Sequence, residues 1–161
     1  MITKEDIISY YKREIELTIK VLRAVPEGQL EYRPHDKSNS AKDLLRTFIA
    51  EMIMNMSFLK GEEPKDTMRK VPEFDFLTEG IASFDTAAKE FLATAESMPT
   101  EDFEKPLTMW GMPGTRGSFV FMLLFDMVHH RGQLSVYVRL AGGLVPAIYG
   151  PSADDNGMGA I

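Results

Sequence analysis

Apolar side chains recur every three or four residues along four stretches of the chain, and this spacing places them on one face of an α-helix. Polar and charged residues fill most of the positions between them. The pattern predicts four amphipathic helices, at residues 3–25, 40–60, 78–98 and 118–141. Thr3, Ser40 and Ser118 stand where N-caps are expected, because a hydroxyl there can accept a hydrogen bond from a free backbone N–H.

The segments between these helices predict how they are connected. Residues 61–77 contain prolines and charges and are long enough to cross the bundle instead of turning directly back. Residues 104–117 are rich in Gly and Pro and indicate a structured loop or an irregular hairpin, in which Trp110 plugs one end of the bundle. The residues after Gly143 predict an extended tail, and their apolar side chains indicate that it packs across the helices. The sequence therefore predicts one all-α domain, residues 1–161, folded as a four-helix bundle with a crossover connection.

Composition and charge exclude several classes of function. The chain has no cysteine, which excludes disulfides, thiolate metal sites and a cysteine nucleophile. The formal charge of −6 argues against a nucleic-acid partner, which would need a basic surface. No run of about 20 uncharged apolar residues is present, so no membrane association is expected. The first residues lack the basic and apolar regions of a signal peptide, and a cytoplasmic location is the default expectation.

The most apolar stretch, residues 119–140, also carries the residues with the clearest chemical potential. Asp126 and His130 are four positions apart, so they lie one turn above each other, and both fall on the apolar stripe of the helix. A buried carboxylate and imidazole require a partner. Gly132, in the middle of the same helix, costs about 1 kcal/mol relative to Ala. It predicts close approach by another helix, in this chain or in a partner.

A metal site on this helix would need a third ligand from elsewhere. Thr47, Glu51 and Asn55 form a polar line along the second helix, and Glu51 is the best ligand among them by chemistry. Such a line is also typical of an ordinary solvent boundary. Asp126 and His130 could bind one divalent ion, or they could form a hydrogen-bonded pair without metal. Spacing alone leaves both interpretations open.

Several motifs resemble those of the DinB/YfiT-like superfamily, and together they span nearly the whole chain. They are Y-R-P at 32–34, S-A-K-D-L-L at 40–45, H-H-R-G-Q-L at 129–134, Y-V-R-L-A-G at 137–142 and V-P-A-I-Y-G-P-S-A-D at 145–154. The resemblance implies a four-helix bundle with a crossover connection, often assembled as a homodimer. It also implies descent from enzymes that hold one divalent metal with three histidines.

Matched to that family, this chain keeps one of the three histidines. His130 is the histidine before R-G-Q, Asp126 stands where a second histidine is usual, and Thr47 occupies the position of the helix-two histidine. Asp can replace His as an oxygen ligand, whereas Thr is a poor ligand for a divalent ion such as Zn, Ni or Mn. Three outcomes follow: a relaxed site with Asp126, His130, water and Glu51; a metal-free pocket; or a degenerate member without catalysis.

Two functional hypotheses follow from the resemblance. The first is a metal-dependent enzyme, a thiol-linked transferase or a hydrolase, that acts on or binds a small molecule although its metal triad is incomplete. The alternative is a non-catalytic, stress-associated homodimer without metal, whose bundle face is the functional surface. The sequence does not decide whether the protein is an enzyme.

Overall fold

The computed structural model describes residues 2–156, and most of them are helical. Five α-helices are present: α1 (Lys4–Arg23), α2 (Ala41–Lys60), α3 (Leu77–Ser97), the single turn α4 (Thr100–Phe103) and α5 (Arg116–Leu140). A 3-10 turn at Thr67–Lys70 lies between α2 and α3. The strands β1 (Pro106–Met109) and β2 (Met112–Thr115) form an antiparallel hairpin before α5. The predicted all-α fold is confirmed.

Local capping explains where three of the long helices begin. The hydroxyls of Thr3 and Ser40 accept hydrogen bonds from the backbone N–H three residues later, as predicted, and complete capping boxes. The predicted cap Ser118 is wrong. Thr115 caps α5, and the Ser118 side chain instead accepts from the Thr115 N–H. Thr115 is the last residue of β2 and has an extended backbone, and the helix follows it directly. As a result α5 begins at Arg116, earlier than the predicted start at residue 118.

The long helices pack so that α1 and α2 each contact both α3 and α5. Helices α2 and α3 run parallel, because Leu45 near the start of α2 lies against Gly80 near the start of α3. Farther along, the rings of Phe48 and Phe84 lie 5.9 Å apart. Since parallel neighbours have their starts at one end of the bundle, residues 61–76 must return along its length. The predicted crossing of this segment is confirmed.

The hairpin places the lone tryptophan at its turn. Trp110 and Gly111 both have positive φ, as a two-residue type I′ turn requires. The ring of Trp110 meets Phe58 and Phe119 edge-on, yet the residue is 53% exposed. The prediction that it plugs the bundle end is therefore wrong, because the turn geometry holds the ring at the surface. Of the two alternatives predicted for this segment, a structured loop or an irregular hairpin, the hairpin is present, but it is regular, with four consecutive residue pairs from Pro106–Thr115 to Met109–Met112.

The predicted packing of the tail is confirmed over the part that the structure describes. Arg131, which is buried, forms an ion pair of 2.6 Å with Glu14 and donates a hydrogen bond to the hydroxyl of Tyr149. The Tyr149 hydroxyl donates in turn to Glu14. Lys20 of α1 pairs with Asp155. These contacts join the tail to α1 and α5 at the side of the bundle.

The apolar faces of the long helices meet in one core. On α5 the predicted stripe is buried as expected at Phe119, Leu123, Met127, Leu134 and Tyr137. Among the described residues no other helix approaches Gly132, since a Cβ placed there would find no atom within 4 Å. Within residues 2–156, no helix combines the length and the apolar character that a membrane span requires.

Candidate metal centre

Helices α2 and α5 bring Glu51, Asp126 and His130 into one group. One ligand atom from each residue lies within 4.8 Å of the other two. His130 Nε2 stands 3.6 Å from Glu51 Oε1 and 3.6 Å from Asp126 Oδ1. Both separations are too long for hydrogen bonds. The imidazole therefore lies between two carboxyl groups without being bonded to either.

Glu51 is the buried member of this group. It is only 2% exposed, and neither of its carboxylate oxygens has a hydrogen-bond partner. Burial raises the pKa of the Glu51 carboxyl well above its ordinary value, and the negative charge of Asp126 raises it further. The protonated form of this carboxyl is therefore favoured unless a cation compensates the negative charge of the ionised form.

Asp126 lies at the solvent side of the group. Its side chain is 50% exposed, so the prediction that it is buried on the apolar stripe is wrong. At this level of α5 the buried face is formed by Leu123, Leu124 and Met127, and Asp126 lies at its edge. The carboxylate thereby keeps its hydration and avoids the free-energy cost of burial.

The orientation of His130 is fixed by Gln133, one turn farther along α5. Gln133 Oε1 lies 3.1 Å from His130 Nδ1, while the Gln133 amide nitrogen faces His129 Nε2 at 3.2 Å. Because a carbonyl oxygen can only accept, this contact places a hydrogen on His130 Nδ1, and in the neutral ring the lone pair is then on Nε2, facing the carboxyl groups. Such support of a ligand histidine is common in metal sites.

The other two residues of the polar line on α2, Thr47 and Asn55, make hydrogen bonds elsewhere. The Thr47 hydroxyl donates to its own helix, at Asp43 O, over 2.9 Å. Asn55 is fully buried, and its amide nitrogen donates to the Tyr11 hydroxyl, which donates to Val120 O. Its carbonyl oxygen has no partner. The Tyr11–Asn55 contact joins distant parts of the chain, and no local pattern could have predicted it.

The arrangement suits a divalent cation. Two ligand atoms at about 2.1 Å from a tetrahedral ion lie about 3.4 Å apart, close to the separations that His130 makes with its two neighbours. An ion would give the orphaned Glu51 oxygens a partner. One imidazole and two carboxylates suit Zn²⁺ or Mn²⁺, and together they balance the charge of the ion. The residues present therefore fit a divalent metal.

A cleft of about 540 Å³ opens beside the group. It is lined by Met54, Trp110, Met122, Leu123, Phe125, Asp126 and His129. Asp126 lines the cleft and is also a member of the acid–histidine group, which consists of Glu51, Asp126 and His130. A small molecule in the cleft would therefore lie next to the candidate ligands.

Curated proteins similar to this chain include two uncharacterized proteins of Bacillus subtilis. YrdA is 31% identical over 74 residues, which cover 45% of this chain and 44% of YrdA. The chain thus spans less than half of that relative. YjoA is 20% identical over 145 residues, which cover 88% of this chain and 93% of YjoA.

Two solved structures share the fold. A DinB-like protein from Bacillus cereus superposes with a TM-score of 0.77 at 21% identity, over 90% of this chain and 97% of that one. The DinB-like YjoA of Bacillus subtilis gives a TM-score of 0.69 at 20% identity, over 84% and 91%. A sequence model of the DinB family matches residues 1–157. The chain belongs to the DinB family.

Proposed function

We propose that this protein is a metal-dependent enzyme of the DinB family that acts on a small molecule and holds its ion with Glu51, Asp126 and His130. The observation that carries the proposal is the buried carboxyl group of Glu51. Both of its oxygens lack a hydrogen-bond partner, and it faces the lone pair of His130 Nε2. A cation is the partner that satisfies all these acceptors together.

The proposed ligand set differs from the three histidines that the family resemblance implies. The resemblance assigns the helix-two ligand to Thr47, whose hydroxyl already donates to Asp43 O. Glu51 lies one turn farther along the same face of α2, since residues four apart stack on a helix. We infer that Glu51 replaces the missing histidine and that Asp126 replaces the first histidine of α5.

Each residue has a separate task in this site. His130 offers the lone pair of Nε2, and Gln133 keeps the ring from turning. Glu51 gives up its proton when a cation compensates its charge. Asp126 stands at the exposed edge, next to the cleft through which a reactant can enter. A divalent ion, when bound, supplies a Lewis acid that activates a water or a thiol, which fits a hydrolase or a thiol-linked transferase.

The experiment is a titration of metal-free protein with Zn²⁺, Ni²⁺ and Mn²⁺ by calorimetry, with elemental analysis after dialysis. We expect about one ion per chain. Glu51→Gln and His130→Ala should each weaken binding at least about tenfold. Thr47→Val is the matched control on α2 and should bind as the wild type does.

Two results would contradict the proposal. The first is a wild-type protein that takes up no divalent ion. The second is loss of binding in Thr47→Val with binding retained in Glu51→Gln, which would place the ion at the position that the family uses. Circular dichroism of each variant shows whether the bundle is still folded.

A further inference from the structure

The cleft beside the acid–histidine group has an apolar wall built from three separate elements. Met54 comes from α2, Trp110 from the hairpin, and Met122 and Phe125 from α5. Phe125 is 62% exposed, and Trp110 is also largely open to solvent. Large apolar side chains left open around a concave surface are typical of binding sites, and a volume of about 540 Å³ is that of a small-molecule site.

Trp110 stands at a turn position whose positive φ is unusual for a bulky residue. Its φ is 50°, a conformation that bulky residues rarely adopt and that Gly or Asn would adopt with little strain. The rings of Phe58 and Phe119 pack against the Trp110 ring in edge-to-face contacts, at centroid distances of 5.9 and 6.5 Å. A strained turn that keeps a half-exposed aromatic ring at a cleft is the kind of outlier found at ligand clamps.

The charges around the cleft limit what can bind there. The ionisable residues of its lining are Asp126 and His129, and the lining contains no Lys or Arg. An anionic ligand body would therefore have no cationic side chain to pair with and would meet the Asp126 carboxylate. Apolar contact with Trp110, Met122 and Phe125 favours an uncharged body.

We propose that the substrate of this site is a small molecule with an uncharged aromatic or aliphatic body, which packs against Trp110, Met122 and Phe125. A polar, metal-coordinating head group would lie at Asp126, where the cleft meets the acid–histidine group. This inference rests on the proposed metal site, because the ion provides the binding partner of the head group.

Two hydroxamic acids test the inference on the Zn²⁺-loaded protein. Benzohydroxamic acid and acetohydroxamic acid share the metal-binding head, but only the first has an aromatic body. Trp110 is the only tryptophan of the chain, so tryptophan fluorescence reports binding in the cleft directly. Because burial of the ring removes apolar surface from water, we expect benzohydroxamic acid to bind at least about tenfold more tightly.

Two phenylalanine variants separate the cleft from general effects. Phe125→Ser should remove most of the preference for the aromatic probe, whereas Phe76→Ser, at an exposed phenylalanine outside the cleft, should keep it. Metal uptake is measured in every sample. Equal affinities for the two probes, or a preference unchanged in Phe125→Ser, would overturn the inference while the metal site remains.

Two further outcomes would also overturn the inference. Failure of the wild-type protein to take up metal would overturn the proposed function and this inference together. Conversion of a dimer to a monomer by Phe125→Ser would show that a second copy covers the cleft, and this outcome also contradicts a substrate there.

Discussion

Glu51 shows how a single side chain can indicate chemistry when its surroundings leave it unsatisfied. An ionised carboxylate in the apolar interior is unfavourable unless it is paired. Here neither oxygen receives a hydrogen bond, and the imidazole of His130, with Nε2 at 3.6 Å from Glu51 Oε1, is too far away to provide one. The metal-free protein therefore carries a local instability that an ion would relieve.

This local instability should appear in the pH dependence of folding. Burial raises the folded-state pKa of Glu51 above 4.5, so the folded protein binds this proton more tightly than the unfolded chain does. The contribution to stability is fully present below pH 4.5 and is lost as the pH rises through the folded-state pKa. In metal-free protein, Glu51→Gln should therefore be more stable than the wild type at about pH 8, with little difference near pH 4.5.

Urea unfolding in the presence of a chelator measures this difference at both pH values. Glu90→Gln, at an exposed glutamate of α3, provides the matched control and should follow the wild type. A Glu51→Gln variant that is less stable than the wild type at about pH 8 would show that the ionised carboxylate already has a stabilising partner inside the protein.

Among the secondary-structure elements, the sequence predicts those features that depend only on residues close to one another along the chain. The long helices follow from a 3.6-residue period, and the capping boxes at Thr3 and Ser40 use partners three positions away. The predicted start of α5 is wrong because Thr115 and Ser118 are both suitable N-caps. Thr115 is the cap because the hairpin ends there in an extended conformation. The four-residue spacing predicts that Asp126 and His130 are neighbours on α5. Their proximity to Glu51 depends on how α2 packs against α5, which the spacing does not predict.

The capping of α5 by Thr115 gives a prediction for the stability of the protein. Thr115→Ala removes the side-chain acceptor of the Ser118 N–H and should lower the free energy of unfolding by about 1 kcal/mol. Thr108→Ala, at an exposed position of β1, is the matched control and should change it by less than about 0.5 kcal/mol. Chemical denaturation compares the two. Equal effects of the two substitutions would contradict the assignment of Thr115 as the cap.

For the molecule as a whole, the feature that bears on assembly is the exposed apolar outer face of α5. The homodimer implied by the family resemblance stays a prediction. Gly132 lies in mid-helix with open space around it, on a face where Val136 and Leu140 are each 57% exposed. Since no other helix of residues 2–156 comes within 4 Å of a Cβ placed at Gly132, the close approach predicted for it would have to come from a partner.

The prediction is that the protein sediments as a dimer and that Val136→Lys shifts it towards monomer, because a charge would have to be buried in the interface. Thr86→Lys, on the exposed face of α3, should leave the dimer intact. Analytical ultracentrifugation over a range of concentrations distinguishes the states. A wild-type protein that remains monomeric at high concentration would contradict this assembly.

In the proposed metal site, Glu51, Asp126 and His130 hold one divalent ion. The most direct measurement is anomalous diffraction at the zinc edge from crystals of the Zn²⁺-loaded protein. We expect one strong peak among the three side chains, at about 2.0–2.2 Å from His130 Nε2 and from an oxygen of each carboxylate. A peak beside Thr47, or zinc bound only at surface positions of the loaded protein, would contradict this assignment of the ligands.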